Sequence, residues 1–345
     1  MRRWRRLTVL LTLLSAMPGL GCAMLWPHAL SDDEFPNFRK AETEACEPLL
    51  CPEKGQLERA RTRVVLGDVL GAPDASIAKS IESSLEAILG ATGVEVVARR
   101  EARGLLEEVR LAEQKGHTDR YRGPVLADYA IVTGVDAIDV SAEFHQAAVV
   151  DGKKMGNDQC KYTASVSGML RVYRIPALNV AASIPLSATA ARFEPARTCR
   201  PVGNTPEFVP LAREAAEEAI DRSREHAQNF FSPEGFVVAR RRWEEKDREI
   251  FWVSSGAKAG FASGDEVVVI RKVREVNPLA GTAEIHEETL GEGVVVRVAE
   301  GRAWIALNES AVSKRVISGD SVKVVYEKDF WDKVQDFSAD VAAGN

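Results

Sequence analysis

RVVLGDVLGAPDASIAKSIESSLEAILG, residues 63–90, decides the fold. Residues 63–70 are a short apolar run of the kind a strand covered on both faces shows. Gly71-Ala72-Pro73 breaks the run, and Asp74 stands where a helix N-cap belongs. Ile77, Ile81, Leu85, Ile88 and Leu89 then recur at helical spacing on one stripe, and Gly90 reads as the stop. Working outward, VEVVAR (94–99) is a second strand. EARGLLEEVRLAEQKG (101–116) is a second amphipathic helix with Leu105, Leu106, Val109 and Ala112 inward and Gly116 as its end. ADYAIVTGVDAIDV (127–140) is a third strand. Strand–helix–strand–helix–strand at this spacing implies parallel strands joined by crossover helices.

The pattern then changes. QCKYTASVSGMLRVYRI (159–175) sets Tyr162, Ala164, Val166, Leu170 and Val172 against Thr163, Ser165, Ser167 and Arg171, which is a strand with one polar face. LNVAASIPLSATAARFEP (178–195) reads as its antiparallel partner. FVPLAREAAEEAIDRSREHAQNFF (208–231) is a long helix with Leu211, Ala215, Ala219 and Ile220 in register and Glu218 four residues before Arg222. From Phe236 short strands alternate with Gly-containing turns. Gly264-Asp265 and Gly319-Asp320 each precede a run of alternating valines, so a small β-barrel or sandwich is expected. RRRWEEKDR (240–248) reads as the join. The expected fold class is therefore a mixed α/β sheet flanked by helices, over 59–232, followed by a small all-β domain over 233–328, with 329–345 as a peripheral tail.

Ahead of the α/β unit, MRRWRR (1–6), LTVLLTLL (7–14) and SAMPGLG (15–21) follow the order of a secretory signal: basic, apolar, then small residues around Pro18-Gly19. An uncleaved anchor is the alternative, since Leu7 to Leu25 is about long enough to cross a bilayer. The cysteine directly after Leu20-Gly21 makes this segment resemble a bacterial lipoprotein signal. Gly19 stands third before Cys22, and Leu20 sits one place later than that signal's leucine. Ordinary cleavage near Gly21, giving a soluble periplasmic chain, stays open. The resemblance implies that Cys22 becomes the first mature residue and carries acyl chains, palmitate among them. Two or more chains hold a protein on a membrane where one does so marginally. Ala23 after that cysteine implies the periplasmic face of the outer membrane.

With Cys22 set aside, Cys46, Cys51, Cys160 and Cys199 are even in number, and an exported chain meets an oxidising compartment. Three disulfide pairings are possible. Cys46 and Cys51 enclose a short local loop, and Cys160 and Cys199 flank two expected strands, which favours 46–51 with 160–199. No CxxC or HxxxH spacing supports a metal site. Residues 22–58, polar and proline-containing, read as a tether from the anchor to the folded part.

The formal net charge of −6 falls to about −10 once Arg2, Arg3, Arg5 and Arg6 are removed, which argues against nucleic acid as a partner. No cofactor is expected. Ser76-Ile-Ala-Lys79 has the S-x-x-K spacing of penicillin-recognising serine enzymes. It lacks the downstream Ser-Asp-Asn and Lys-Thr-Gly, and Ser76 falls in a helix first turn. His28, His117, His145, His226 and His286 lie in different elements. Gly256, Gly260 and Gly264 suit turns between strands better than a phosphate cradle. Glu107-Glu108 and Glu287-Glu288 put neighbours on different faces. No catalytic residue is assigned, and the chain reads as a non-enzyme.

The order of elements, with Leu105-Leu106-Glu107-Glu108, Ala127-Asp128-Tyr129 and Thr133-Gly134, resembles the CsgG-like α/β domain. That domain occurs in the curli secretion lipoprotein, in the lipoprotein activator of penicillin-binding proteins and in flagellar T-ring proteins. SSGAKAGFASGDEVVVIRK (254–272) and ISGDSVKVVYEK (317–328) are similar to the C-terminal β-domain of the flagellar T-ring protein. Within this pattern Asp128 is expected to bond the end of a neighbouring helix, and Thr133-Gly134 to mark a bend in its strand. The resemblance implies a lipid-anchored scaffold or assembly factor that binds other envelope proteins. The alternatives are a subunit of an oligomeric secretion channel or flagellar ring, and an activator of a cell-wall enzyme. A shared membrane barrel would need spare amphipathic hairpins, and the strands within 131–194 are already needed to complete the α/β sheet.

Overall fold

The computed structural model describes residues 29–57, 61–115, 121–151, 153–202, 206–276, 282–308, 310–313 and 315–326. The signal, Cys22, His28, Gly116, His117 and the tail from 329 lie outside the described residues.

The segment expected to be a tether is, from residue 29, part of the fold. β1 (Arg39–Ala41) and the one-turn helix α1 (Lys54–Leu57) belong to a strap on the second domain. Its anchors are apolar and aromatic side chains scattered without period, Leu30, Phe35 and Phe38, so no periodicity announces it.

The α/β domain follows. β2 (Arg63–Leu70), α2 (Ala75–Ala91), β3 (Glu95–Val97), α3 (Arg103–Lys115) and β4 (Tyr129–His145) come first. A small β5–β6 hairpin (Ala148–Val150, Lys153–Met155) leads into β7 (Gln159–Arg174), β8 (Asn179–Pro195), α4 (Val209–Arg222) and α5 (Arg224–Phe231). The sheet order is β3-β2-β4-β7-β8, parallel across β3-β2-β4 and antiparallel across β4-β7-β8. Asp74 caps α2, its carboxylate accepting the Ser76 N–H at 2.7 Å. The helix runs through Gly90 to Ala91, and the stop is Gly93, whose φ of 72° is left-handed.

α2 and α4 cover one face of the sheet. Alanines at 212, 215, 216 and 219 let α4 lie close over Tyr162, Ala164 and Val166 of β7 and Leu186, Ala188 and Ala190 of β8. α3 covers the other face only near β2 and the start of β4, through Leu105 and Val109 against Val65, Val132 and Tyr173. β4 runs five residues past its expected end, because its pairing with β7 continues to His145↔Gln159. The bend expected at Thr133-Gly134 is a bulge between Val135 and Ala137. A Cβ at Gly168 would lie 2.3 Å from the Gly134 carbonyl oxygen, so the strands meet there only as glycine backbone.

Asp128 bonds a strand rather than a helix end. Its carboxylate accepts the Arg63 N–H at 2.8 Å and so sets the register of β4 against the start of β2. Arg99, the arginine closing the second strand motif, donates to the Leu66 and Gly67 carbonyls at 2.9 Å each. It satisfies oxygens where β2 is irregular, and pairs with Glu82 of α2.

The second domain is a closed six-stranded antiparallel barrel, which decides between barrel and sandwich. β9 (Glu234–Trp243), β10 (Arg248–Val253), β11 (Glu266–Val276), β12 (Ala283–Ala299), β13 (Arg302–Leu307) and β14 (Ser321–Val324) run in the order β9-β10-β13-β12-β11-β14, and β14 closes back onto β9. A short helix α6 (Ser310–Ser313) precedes β14. Val237, Phe251, Val253, Val267, Val269 and Ile305 fill the interior. Gly264-Asp265 and Gly319-Asp320 form equivalent turns, each glycine at positive φ (94° and 97°). Each aspartate accepts a backbone N–H three residues back, Ala262 at 2.7 Å and Ile317 at 2.8 Å.

The stretch 240–248 is not a join. It is the end of β9 and its hairpin into β10. The domains meet at Ser232-Pro233, where Asn229 receives the Tyr326 N–H at 2.8 Å and donates to the Tyr326 carbonyl at 2.9 Å.

Candidate interaction surface

β4, β7 and β8, 17, 16 and 17 residues long, extend together as a three-stranded ribbon away from the barrel junction at Tyr129 and Phe230. At ~3.3 Å per residue such a ribbon is about 55 Å long. Its α4-facing side is apolar. Its other side is open beyond the reach of α3. Register puts Asp139, Ser165 and Thr189 in one row, Ser141, Thr163 and Ala191 in the next, Glu143, Lys161 and Phe193 in the third, and His145, Gln159 and Pro195 in the last. The polar face read from the alternation of residues 159–175 is therefore shared by three strands. Phe193 is 53% exposed, with His145 beside it at 6.2 Å between ring centres, and Phe144 and Met155 are exposed at the same tip. Pairwise strand periodicity does not reveal this tip. It depends on β4 continuing to His145.

The cysteines tie two separate places in the fold. Cys160 bonds Cys199 at the ribbon tip, tying the start of β7 to the chain that enters α4. Tyr162 packs beside Phe208 there, and its hydroxyl accepts the Arg200 N–H at 3.0 Å. Arg200 also pairs with Glu194 and Glu207. Cys46 bonds Cys51 in the strap. Cys22 lies outside the described residues.

Ser76 hydrogen-bonds to Asp74, so the S-x-x-K serine is held in the cap of α2. His145 lies 3.4 Å from Glu143, His286 lies 3.8 Å from Glu275, and His226 is exposed on α5. Among the described residues no group of three or more His, Cys, Asp or Glu stands where it would hold a metal ion. Gly260 packs at the domain junction, where its Cα would lie 2.8 Å from a Cβ at Gly93. A cavity of about 90 Å³ lies at that junction, lined by Thr92, Tyr129, Phe230, Phe231 and Lys323 among others. It is well below the roughly 300 Å³ of a drug-sized ligand site. Among the described residues no helix is long and apolar enough to cross a membrane.

No protein-family model matches the chain, and no curated protein matches it. Solved structures do. The chain is similar to the minor lipoprotein of Acinetobacter baumannii at 12% identity, over 48% of this chain and 90% of that one, with a TM-score of 0.24. It is similar to the PelC dodecamer of Paraburkholderia phytofirmans at 14% identity, over 55% and 96%, with a TM-score of 0.22. It is also similar to lipoprotein GNA1162 of Neisseria meningitidis at 11% identity, over 47% and 96%, with a TM-score of 0.23.

Proposed function

We propose that this chain is a non-enzymatic envelope scaffold or assembly factor, held at the periplasmic face of the outer membrane by acyl chains on Cys22. It binds other envelope proteins through the open face of the β4-β7-β8 ribbon. The observation that carries this reading is the ribbon itself. Its length exceeds what the helices cover, and Phe193 stands exposed on the uncovered face in one row with Glu143 and Lys161. The signal-like order of residues 1–22 supports export and acylation, and the two disulfides suit an oxidising compartment. The CsgG-like and T-ring-like resemblance of the sequence supports an assembly role.

One observation favours a second reading, a ring of copies in a channel or flagellar assembly. β8 ends its sheet, and its 17-residue outer edge pairs with no other strand among the described residues. Such an edge accepts another strand unless it is blocked, and within it proline stands only at Pro185 and at its last residue, Pro195. The membrane-barrel form of that reading is disfavoured, because the same strands pack on α4.

Site-specific photo-crosslinking in the source bacterium tests the scaffold reading. A crosslinker at Thr189 or Phe193 captures one defined envelope protein, and the adduct disappears when Ser165→Arg is added. A crosslinker at exposed Glu214 on α4 does not capture it. Equal capture from Glu214, or none from the ribbon, overturns the assignment. Capture of a second copy through β8 supports the ring.

A further inference from the structure

β11 and β12 run past the barrel they help to close. The pairing of β11 with β14 stops at Ile270↔Ser321, and that of β12 with β13 starts at Gly293↔Leu307. From Arg271↔Glu288 to Val276↔Ala283 the two strands pair only with each other among the described residues. At ~3.3 Å per residue these six pairs form an arm about 20 Å long. Its root is fixed, because Arg271 holds Asp320 and Glu288 pairs with Arg315 at 2.7 Å. Beyond the root, β12 is exposed at every residue from Ala283 to Glu287, and β11 at Lys272, Arg274, Glu275 and Val276. A lone two-stranded ribbon is marginally stable in water. Each bare edge is also a template for a further strand.

The two strands of the arm differ in charge. Alternation puts Lys272, Arg274 and Val276 of β11 on one face with Ile285 and Glu287 of β12. Glu284 lies on the other face, opposite Glu275, whose carboxylate is 3.8 Å from His286. Among the described residues Lys272, Arg274, Glu284 and Glu287 enter no ion pair. The β11 edge thus carries two uncommitted cations and the β12 edge two uncommitted anions. At the far end Val276 and Ile285 are 53% and 60% exposed. Two β11 edges side by side would set Lys272 and Arg274 against themselves, and two β12 edges would do the same with the glutamates. Like charges directly opposite are destabilising. Only β11 of one copy beside β12 of another repeats the match of basic with acidic strand that the arm already has.

We propose that copies of this chain join through the arm, β11 of one copy on β12 of the next. Such a head-to-tail contact repeats, closing into a ring where the rotation permits and otherwise growing as a filament. The contact needs neither the ribbon nor Cys22, and it differs from association through β8. A charge-reversed arm tests it: Lys272→Glu/Arg274→Glu/Glu284→Lys/Glu287→Lys keeps opposite charges within each copy but repels the wild-type arm. Native mass spectrometry of the full chain, disulfides intact, is expected to show oligomers of the wild type and of the variant, each alone. When dissociated copies are mixed, oligomers containing both are expected several-fold below their statistical share. Free mixing, as association through β8 would give, overturns the proposal, and so does a wild type that stays monomeric. A photo-crosslinker at Val276 in the otherwise unaltered chain needs no charge change and is expected to capture residues 283–287 of a second copy. Capture of a different segment, or of no second copy, overturns it as well.

Discussion

Arg271 of β11 grips Asp320 with two hydrogen bonds, Nε to Oδ1 at 2.9 Å and Nη2 to Oδ2 at 2.8 Å, beneath the turn that starts β14. Asp320 is 3% exposed and also accepts the Ile317 N–H, and Arg271 donates to the Arg315 carbonyl. The pair fixes the last strand of the barrel, and the Asp320 bonds raise the affinity of Arg271 for its proton. Asp320→Ala leaves a half-buried guanidinium and a buried N–H unpaired. Removing one partner of such a pair costs about 3 kcal/mol or more. Chemical denaturation followed by tryptophan fluorescence checks the loss. Simultaneous Arg271→Met/Asp320→Leu is expected to recover much of it.

The Cys160–Cys199 bond closes a loop over a sequence separation of 39. Chain entropy gives such a loop about 4 kcal/mol of stabilisation. Cys160→Ala/Cys199→Ala is expected to destabilise the α/β domain by up to that amount and to raise hydrogen exchange first at the ribbon tip. The barrel amides are expected to keep their protection. Uniform loss of protection in both domains contradicts this.

Gly319 meets the strap at positive φ, and a Cβ there would lie 2.5 Å from the Cys46 sulfur. Gly319→Ala is expected to lift the Cys46–Cys51 loop from the barrel and to open residues 42–57 to limited proteolysis while the barrel stays folded. An unchanged cleavage pattern would show that the strap is held elsewhere.

Burial, with the charge of Asp265 added, pushes the Tyr326 hydroxyl up from 10.0 to about 12. The folded state thus holds this proton more tightly than the unfolded chain does. Its contribution is full below about pH 10 and is lost as pH rises from there through about 12. Phenolate absorbance is expected to show one late-titrating tyrosine, and Tyr326→Phe is expected to remove both that step and this part of the alkaline destabilisation.

The order of elements was legible because each half of the chain is locally consistent. Residues 63–140 alternate buried strands with amphipathic helices, and residues 264–273 and 319–326 place a Gly-Asp turn before valines in period two. What sequence did not disclose depends on contacts far apart in the chain. Phe35 and Phe38 carry no periodicity, and their partners, Trp304 and Trp243, lie more than two hundred residues away, so the strap read as a tether. The polar composition of RRRWEEKDR concealed a strand because Arg240 pairs with Glu249 across the hairpin and is only 16% exposed. Helix α2 passes Gly90 because the left-handed turn falls three residues later, at Gly93. The open face of the ribbon was visible as Thr163, Ser165 and Ser167, but its extent followed only from three-strand register.

Native mass spectrometry of the protein extracted in detergent from its own membranes tests the central claim most directly. The account predicts a mature chain that begins at Cys22, carries acyl chains, contains both disulfides and retains a defined envelope protein. That protein is predicted to be lost on Ser165→Arg/Thr189→Arg substitution of the ribbon face. A bare chain, one that begins after Cys22, or a partner retained through those substitutions would contradict it.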